Sequence, residues 1–142
     1  MPLTLTLSEH VLPEGKEKEA FSRLAQAMLD VHGLAGNRFM TQNLVGSINV
    51  IKPAHTFAGL SESPVAFIEW KVPSFAFSDR EIQKAYVARA TDIVYELSGG
   101  KLQKDHIWVN VTHAVDGTWG IAGKAMTNDE LKQAVAQSSA SC

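Results

Sequence analysis

Few side chains in this sequence are arranged to do chemistry, and their spacing narrows the choice. The five histidines, His10, His32, His55, His106 and His113, form no H-E-x-x-H and no i, i+4 pair, so no metal site of that kind is written here. No serine stands in a G-x-S-x-G elbow, and no glycine-rich phosphate loop occurs. The single cysteine, Cys142, is the last residue, where neither an intrachain disulfide nor a buried nucleophile is expected. Pro2 is left. It opens MPLTLTLSEH, in which Leu3, Leu5 and Leu7 alternate with Thr4, Thr6 and Ser8, the two-residue period of a strand with one buried face. Proline has a plain place at a strand's first residue, because its missing N–H removes no ladder bond there. It has a chemical one only if its nitrogen is a free amine.

The elements that must position these residues come in two similar sets. After the first strand, Phe21, Leu24, Ala25, Met28 and Val31 mark one helix face, and Gly33 ends the helix. Residues 38 to 52 read as extended, and a loop from Lys52-Pro53 leads to Pro64. A strand over Pro64–Val72 follows. Ser78-Asp79-Arg80-Glu81 then reads as a capping box with Ser78 as N-cap, opening a helix with a stripe of Ile82, Ala85, Tyr86, Ile93, Val94 and Leu97 that stops at Gly99-Gly100. His106 to Thr112 alternates as a last strand. The segments DVHG and ELSG lie about 66 positions apart, as an internal repeat would place them. The expected architecture is therefore α/β (α+β): two β-α-β repeats forming one four-stranded, mostly parallel sheet with two helices on one face. Its bare face and open edges call for self-association. The tail after Trp119 carries a cap-like Thr127-Asn128-Asp129-Glu130 and room for a short helix at most, before an SSASC end expected to be disordered.

Length and composition set the frame. At 142 residues the chain suits one domain, 1–142, with a core over about 2–120 and a tail over 121–142. With 45% hydrophobic and 20% charged residues and a formal charge of −2, it lacks the basic surface of a nucleic-acid binder. The N-terminus has no signal-peptide pattern and no segment is apolar enough to cross a bilayer, so no membrane partner and a cytoplasmic location are expected.

Taken together, Met1-Pro2 opening a strand, the doubled β-α-β unit, the loop TFAGLSESP and HIWVNV late in the chain resemble the tautomerase superfamily, over roughly residues 2–120. Within it the sequence is similar to the cis-3-chloroacrylic acid dehalogenase and macrophage migration inhibitory factor branches. The resemblance implies loss of Met1, Pro2 as catalytic base or acid, no cofactor and no metal, a small-molecule carboxylate substrate and a homotrimer or larger assembly. The implied activity is a keto–enol tautomerase or isomerase acting on small 2-oxo acids or their enols. A cis-3-haloacrylate dehalogenase or hydratase, and a non-catalytic trimeric binding module in which Pro2 only starts a strand, are the alternatives.

The same resemblance suggests further site residues, each with an ordinary structural role beside it. His32, in MLDVHGLAG, matches a segment whose histidine helps hold a substrate carboxylate in the dehalogenase branch; as a residue in a helix's last turn it would instead cap carbonyls. Asn110 in HIWVNV falls where the inhibitory-factor branch has an asparagine and the dehalogenase branch a tyrosine, and it would donate to an enol oxygen or simply face solvent from a strand. Trp119 in DGTWGIAG would wall a pocket or glue subunits. Arg38, and more weakly Lys71, would anchor a carboxylate or be solvated. The dehalogenase branch carries an arginine pair after its third strand and a late glutamate; Val72–Ser78 and Gly117–Ile121 contain neither, which argues against dehalogenation or hydration.

Overall fold

A computed structural model describes residues 1–140. The leucine–threonine alternation forms β1, Pro2–Ser8, with Leu3, Leu5 and Leu7 buried and Pro2, Thr4 and Thr6 on the opposite face. A loop leads to α1, Lys16–Val31, closed by Gly33 at φ +67, with the Leu34 N–H reaching back to Leu29 O at 2.8 Å. A positive φ of this kind costs glycine little.

Next come α2, Arg38–Gln42, and β2, Val45–Ile51. The first part of the stretch expected to be extended is thus helical. Asn37 accounts for the difference: it is buried, and its side chain caps α2 by accepting from the Met40 N–H at 3.0 Å. Five residues are too few to show a helical period. The connection to the second half contains a 3-10 turn, Pro53–His55, and a two-residue ribbon of β3, Phe57–Ala58, and β4, Ser61–Glu62.

The second half is β5, Ala66–Pro73, α3, Arg80–Leu97, a 3-10 turn, Lys104–His106, and β6, Ile107–Ala114. The N-cap of α3 is Asp79 rather than Ser78, its carboxylate accepting from the Glu81 N–H at 2.7 Å. The main sheet has the order β2-β1-β5-β6: β1 and β2 pair in parallel, β5 and β6 pair in parallel, and the two halves meet antiparallel at β1 and β5. This is the mixed four-stranded sheet of a doubled β-α-β unit.

Helices α1 and α3 cover one face, and a buried polar chain ties them to the sheet. The Trp70 indole N–H donates to Tyr86 Oη at 2.6 Å, and that hydroxyl donates to Leu24 O at 3.1 Å. Burial pushes the Tyr86 phenol far above its ordinary pKa, so it stays a neutral donor.

The tail is more ordered than its sequence suggests. A hairpin of β7, Trp119–Ile121, and β8, Lys124–Met126, precedes α4, Asn128–Ala140. Thr127 and Glu130 form the reciprocal cap expected of them, with the Glu130 N–H on Thr127 Oγ1 at 3.2 Å. The helix is 13 residues long, not a short turn, and it takes in Ser138 to Ala140 of the end expected to be disordered; Ser141 and Cys142 lie outside the described residues. Hydrogen bonds fasten α4 to α2 and its N-cap: Asn37 Nδ2 donates to Val135 O at 3.0 Å, and the Phe39 N–H donates to Ser138 Oγ at 2.9 Å. No helix among the described residues is long and apolar enough to cross a membrane.

Candidate active site

The start of β1 lies against two adjoining hollows. One, of about 360 Å³, is lined by Pro2, Val45, Lys71, Ala114 and the hairpin residues Thr118 to Ile121. The other, of about 310 Å³, lies between α2, the loop after β5 and α4, and is walled by Leu34, Phe39, Phe75, Leu131 and Val135 among others. Met1, Asn43, Trp119 and Ile121 border both.

Met1 itself is buried, only 7% exposed. Its amino group donates to the O of Asn43, the C-cap of α2, and burial pushes its pKa down from 8.0 to about 6. Because the folded chain holds this proton less tightly than the unfolded one, the unfolded state binds more protons between about pH 6 and 8. Stability of the Met1-bearing chain is therefore expected to rise over that interval and to be lost as pH falls through 6, by up to about 2–3 kcal/mol. Denaturant melts at pH 5.5 and 8.5 read the difference, and a chain beginning at Pro2 is the comparison.

The sheet brings Lys71 to Pro2. Leu3 pairs with Trp70 across the antiparallel seam, so one further step of that register sets Pro2 opposite Lys71. Both side chains project from the face away from α1 and α3. No ion pair among the described residues engages the Lys71 ammonium, so its charge is available in the hollow. Trp119, held at the start of the hairpin, stands between the hollows.

The remaining expected residues are placed differently. His32 borders the apolar hollow, but both ring nitrogens are engaged: Nδ1 lies 2.9 Å from Met28 O, and Nε2 accepts from the Phe77 N–H at 3.4 Å. That pattern assigns a neutral ring protonated at Nδ1. His32 packs edge-on to Phe77, whose backbone has φ 58, so it clamps the end of α1 to the loop after β5. Arg38 is the exposed first residue of α2 and lines neither hollow. Asn110 projects from the same open sheet face as Lys71, opposite Glu69, which in turn pairs with Thr4. Two strands across and two residues along place its Cα roughly 12 Å from that of Pro2.

Sequence reasoning missed Met1 as a wall, Asn43 and Thr118, and expected of α4 only a short helix with no part in the site. Only α4 left a usable signal, the Thr127–Glu130 cap. The hairpin turns at Ala122-Gly123, with φ 54 and φ 81, where an Asn-Gly pair would have announced it.

No protein-family model and no curated protein matches the sequence. Solved structures do match. The native structure of a fused 4-OT superposes with a TM-score of 0.73 at 15% identity, covering 93% of this chain and 99% of that one. N1, a member of the cis-3-chloroacrylic acid dehalogenase family, gives 0.72 at 14% identity over 94% and 90% of the two chains. Pt0534, inactivated by 2-oxo-3-pentynoate, gives 0.72 at 16% identity over 92% and 98%. Fused 4-OT is also represented by symmetric and asymmetric trimers. The fold of the chain is the tautomerase-superfamily fold, the one its sequence resembles.

Proposed function

We propose that the chain is a cofactor-free keto–enol tautomerase of 2-oxo acids, working as a homotrimer, with Pro2 as its acid and base once Met1 has been removed. The observation that carries this is the site of residue 1, buried where a cation-bearing hollow and an apolar hollow meet. Removal of Met1 leaves the ring nitrogen of Pro2 there as a secondary amine. An unperturbed α-amine titrates at about 7.7–8.0, and the desolvation that lowers the Met1 amine acts in the same crevice. A base poised near neutral pH works best near neutral pH. The ring also fixes φ and sits at the end of a paired strand, which gives the lone pair one direction.

In the forward direction the Pro2 nitrogen takes a proton from C3. The C–H electron pair becomes the C2=C3 double bond, the carbonyl pair moves to oxygen, and the prolinium returns its proton to that oxygen. Lys71 offsets the charge on the carboxylate and enolate. The Asn110 amide is too distant for that oxygen within one chain, so its part in the reaction requires a second copy. The bare face supplies reasons for such copies, with Val45 and Trp108 exposed upon it and β2 and β6 unpaired at the sheet edges. The absence of arginine from the loop after β5 favours enolisation over dehalogenation.

The test is keto–enol conversion of phenylenolpyruvate by protein whose intact mass shows Met1 lost, followed by exposure to 2-oxo-3-pentynoate. Turnover, and a single adduct on Pro2 that abolishes it, are expected; the amine adds to the alkyne carbon β to the ketone and the α carbon takes up a proton. No turnover and no adduct on a free Pro2 would leave the strand-start role as its explanation.

A further inference from the structure

Resting on Pro2 as the base, we infer that loss of Met1 uncovers a backbone oxyanion donor, the Val45 N–H, which holds the substrate's carbonyl oxygen while the ring nitrogen works on C3. Val45 is the first residue of β2 and pairs with Pro2. The N–H groups just before it are spent on α2. That of Asn43 reaches Phe39 O at 3.2 Å and Met40 O at 3.1 Å, and that of Leu44 reaches Thr41 O at 3.4 Å. The Val45 N–H instead turns to β1 and donates to Met1 O at 3.3 Å. That oxygen is joined to the Pro2 nitrogen through a single carbon, so cleavage of Met1 removes the acceptor and leaves the donor aimed beside the new amine. Both line the same hollow. A backbone donor stripped of its partner in a crevice is satisfied again by a ligand oxygen set where the old acceptor stood.

The sheet order β2-β1-β5 puts this donor and Lys71 on opposite sides of Pro2. A 2-oxo acid fits that order. Its carboxylate faces Lys71, and its C2 oxygen takes the place of Met1 O on the Val45 N–H. C3 is bonded to the same C2 and so comes beside the ring nitrogen. When that nitrogen takes the C3 proton, the C–H pair forms C2=C3 and the carbonyl pair goes to the oxygen on Val45. The negative charge thus develops against a dipole already in place, fixed by the end of α2 on one side and the β1–β2 pairing on the other. The same oxygen lies within reach of the prolinium, which returns the proton to it.

The test replaces that N–H by an ester oxygen, with the α-hydroxy analogue of valine at position 45 of the processed protein. Deuterium exchange at C3 of phenylpyruvate is expected to lose about 10²-fold in kcat, the usual cost of deleting one such donor, with KM changing by less than about threefold. Val45→Pro also deletes the N–H, at a strand's first residue where proline is tolerated, and is expected to match the ester. The same ester at Val50, whose N–H faces away from β1, is expected to leave kcat in place. Calorimetry reads the donor without turnover. Oxalate, planar and anionic like the enolate of pyruvate, is expected to bind the Val45 ester at least about tenfold more weakly than wild type, and propanoate, with no oxygen on C2, to bind both alike. In the Met1-bearing chain, where the donor keeps its partner, the Val45 ester is expected to lower the melting temperature more than in the processed chain. An unchanged kcat in the Val45 ester, or equal weakening of oxalate and propanoate, overturns the inference. Failure of the base reading shows differently, as no exchange by wild type while oxalate still separates wild type from the Val45 ester.

Discussion

Protein that keeps Met1 is expected to catalyse keto–enol conversion at least about 10²-fold more slowly than protein beginning at Pro2, at equal concentration and pH. General-base catalysis by a positioned group contributes about 10²–10⁴-fold, and acylation by Met1 removes all of it by turning the amine into an amide. Retention of Met1 also fills the crevice, since that residue is buried there with its amine on Asn43 O. Pro2→Ala separates the two effects. It empties the crevice and supplies a free amine, but a primary one, able to rotate about the bond the ring would have fixed. An intermediate rate, well below wild type and above the Met1-bearing form, is the expected order, read by initial rates with intact mass recorded for each sample. Equal rates in all three would place the base elsewhere and leave Pro2 as a strand opener.

Gly46→Ala is expected to be the most damaging small substitution in the sheet. Gly46 pairs with Leu3 one step from the Pro2↔Val45 pair, and a Cβ at Gly46 would run into the Leu3 carbonyl and to 2.9 Å from Cε2 of Phe21. A backbone oxygen cannot swing aside as a side chain can. Relief has to come from β2 moving off β1, and overpacking of this kind costs about 1–3 kcal/mol or more. A fall in melting temperature of roughly 5–10 °C is expected, with catalysis falling too, because Asn43 and Val45 wall the Pro2 hollow. Gly120→Ala, where a Cβ meets nothing within 4 Å, is the stability control and is expected to shift the midpoint little. If Gly46→Ala melts with wild type, β2 is more loosely held than its register implies.

The doubled unit could be read from sequence because its signals are periodic and redundant. Alternating leucines, two amphipathic helices and glycines at both helix ends agree with one another, and each is set by local sterics and burial. The site was legible at its ends only. Pro2 and Trp119 stood out by type, and Lys71 by its strand. That Lys71 faces Pro2, while Asn110 lies two strands away, depends on an antiparallel seam between the halves that no local pattern dictates. His32 shows the opposite case: the cap role written into its position in a last helical turn is the one its bonds to Met28 and Phe77 display, and the pocket it borders uses its carbon edge. Five-residue α2 and the Ala122-Gly123 hairpin escaped because one is shorter than a helical period and the other uses an uncommon turn pair. These are the pieces that close the apolar hollow.

The antiparallel seam also fixes a stoichiometry. Two strand starts of the same kind, those of β1 and β5, point to opposite ends of the sheet, and each has a proline, Pro2 as the first residue of β1 and Pro64 two residues before β5. Only the first can ever be an amine, since Pro64 is bonded on both sides within the chain. Each polypeptide therefore offers one nucleophilic nitrogen for two architecturally similar ends, and the proposed trimer offers three for six. Labelling by 2-oxo-3-pentynoate should accordingly saturate at one equivalent per chain, which leaves the second half of the repeat free to be shaped by assembly alone.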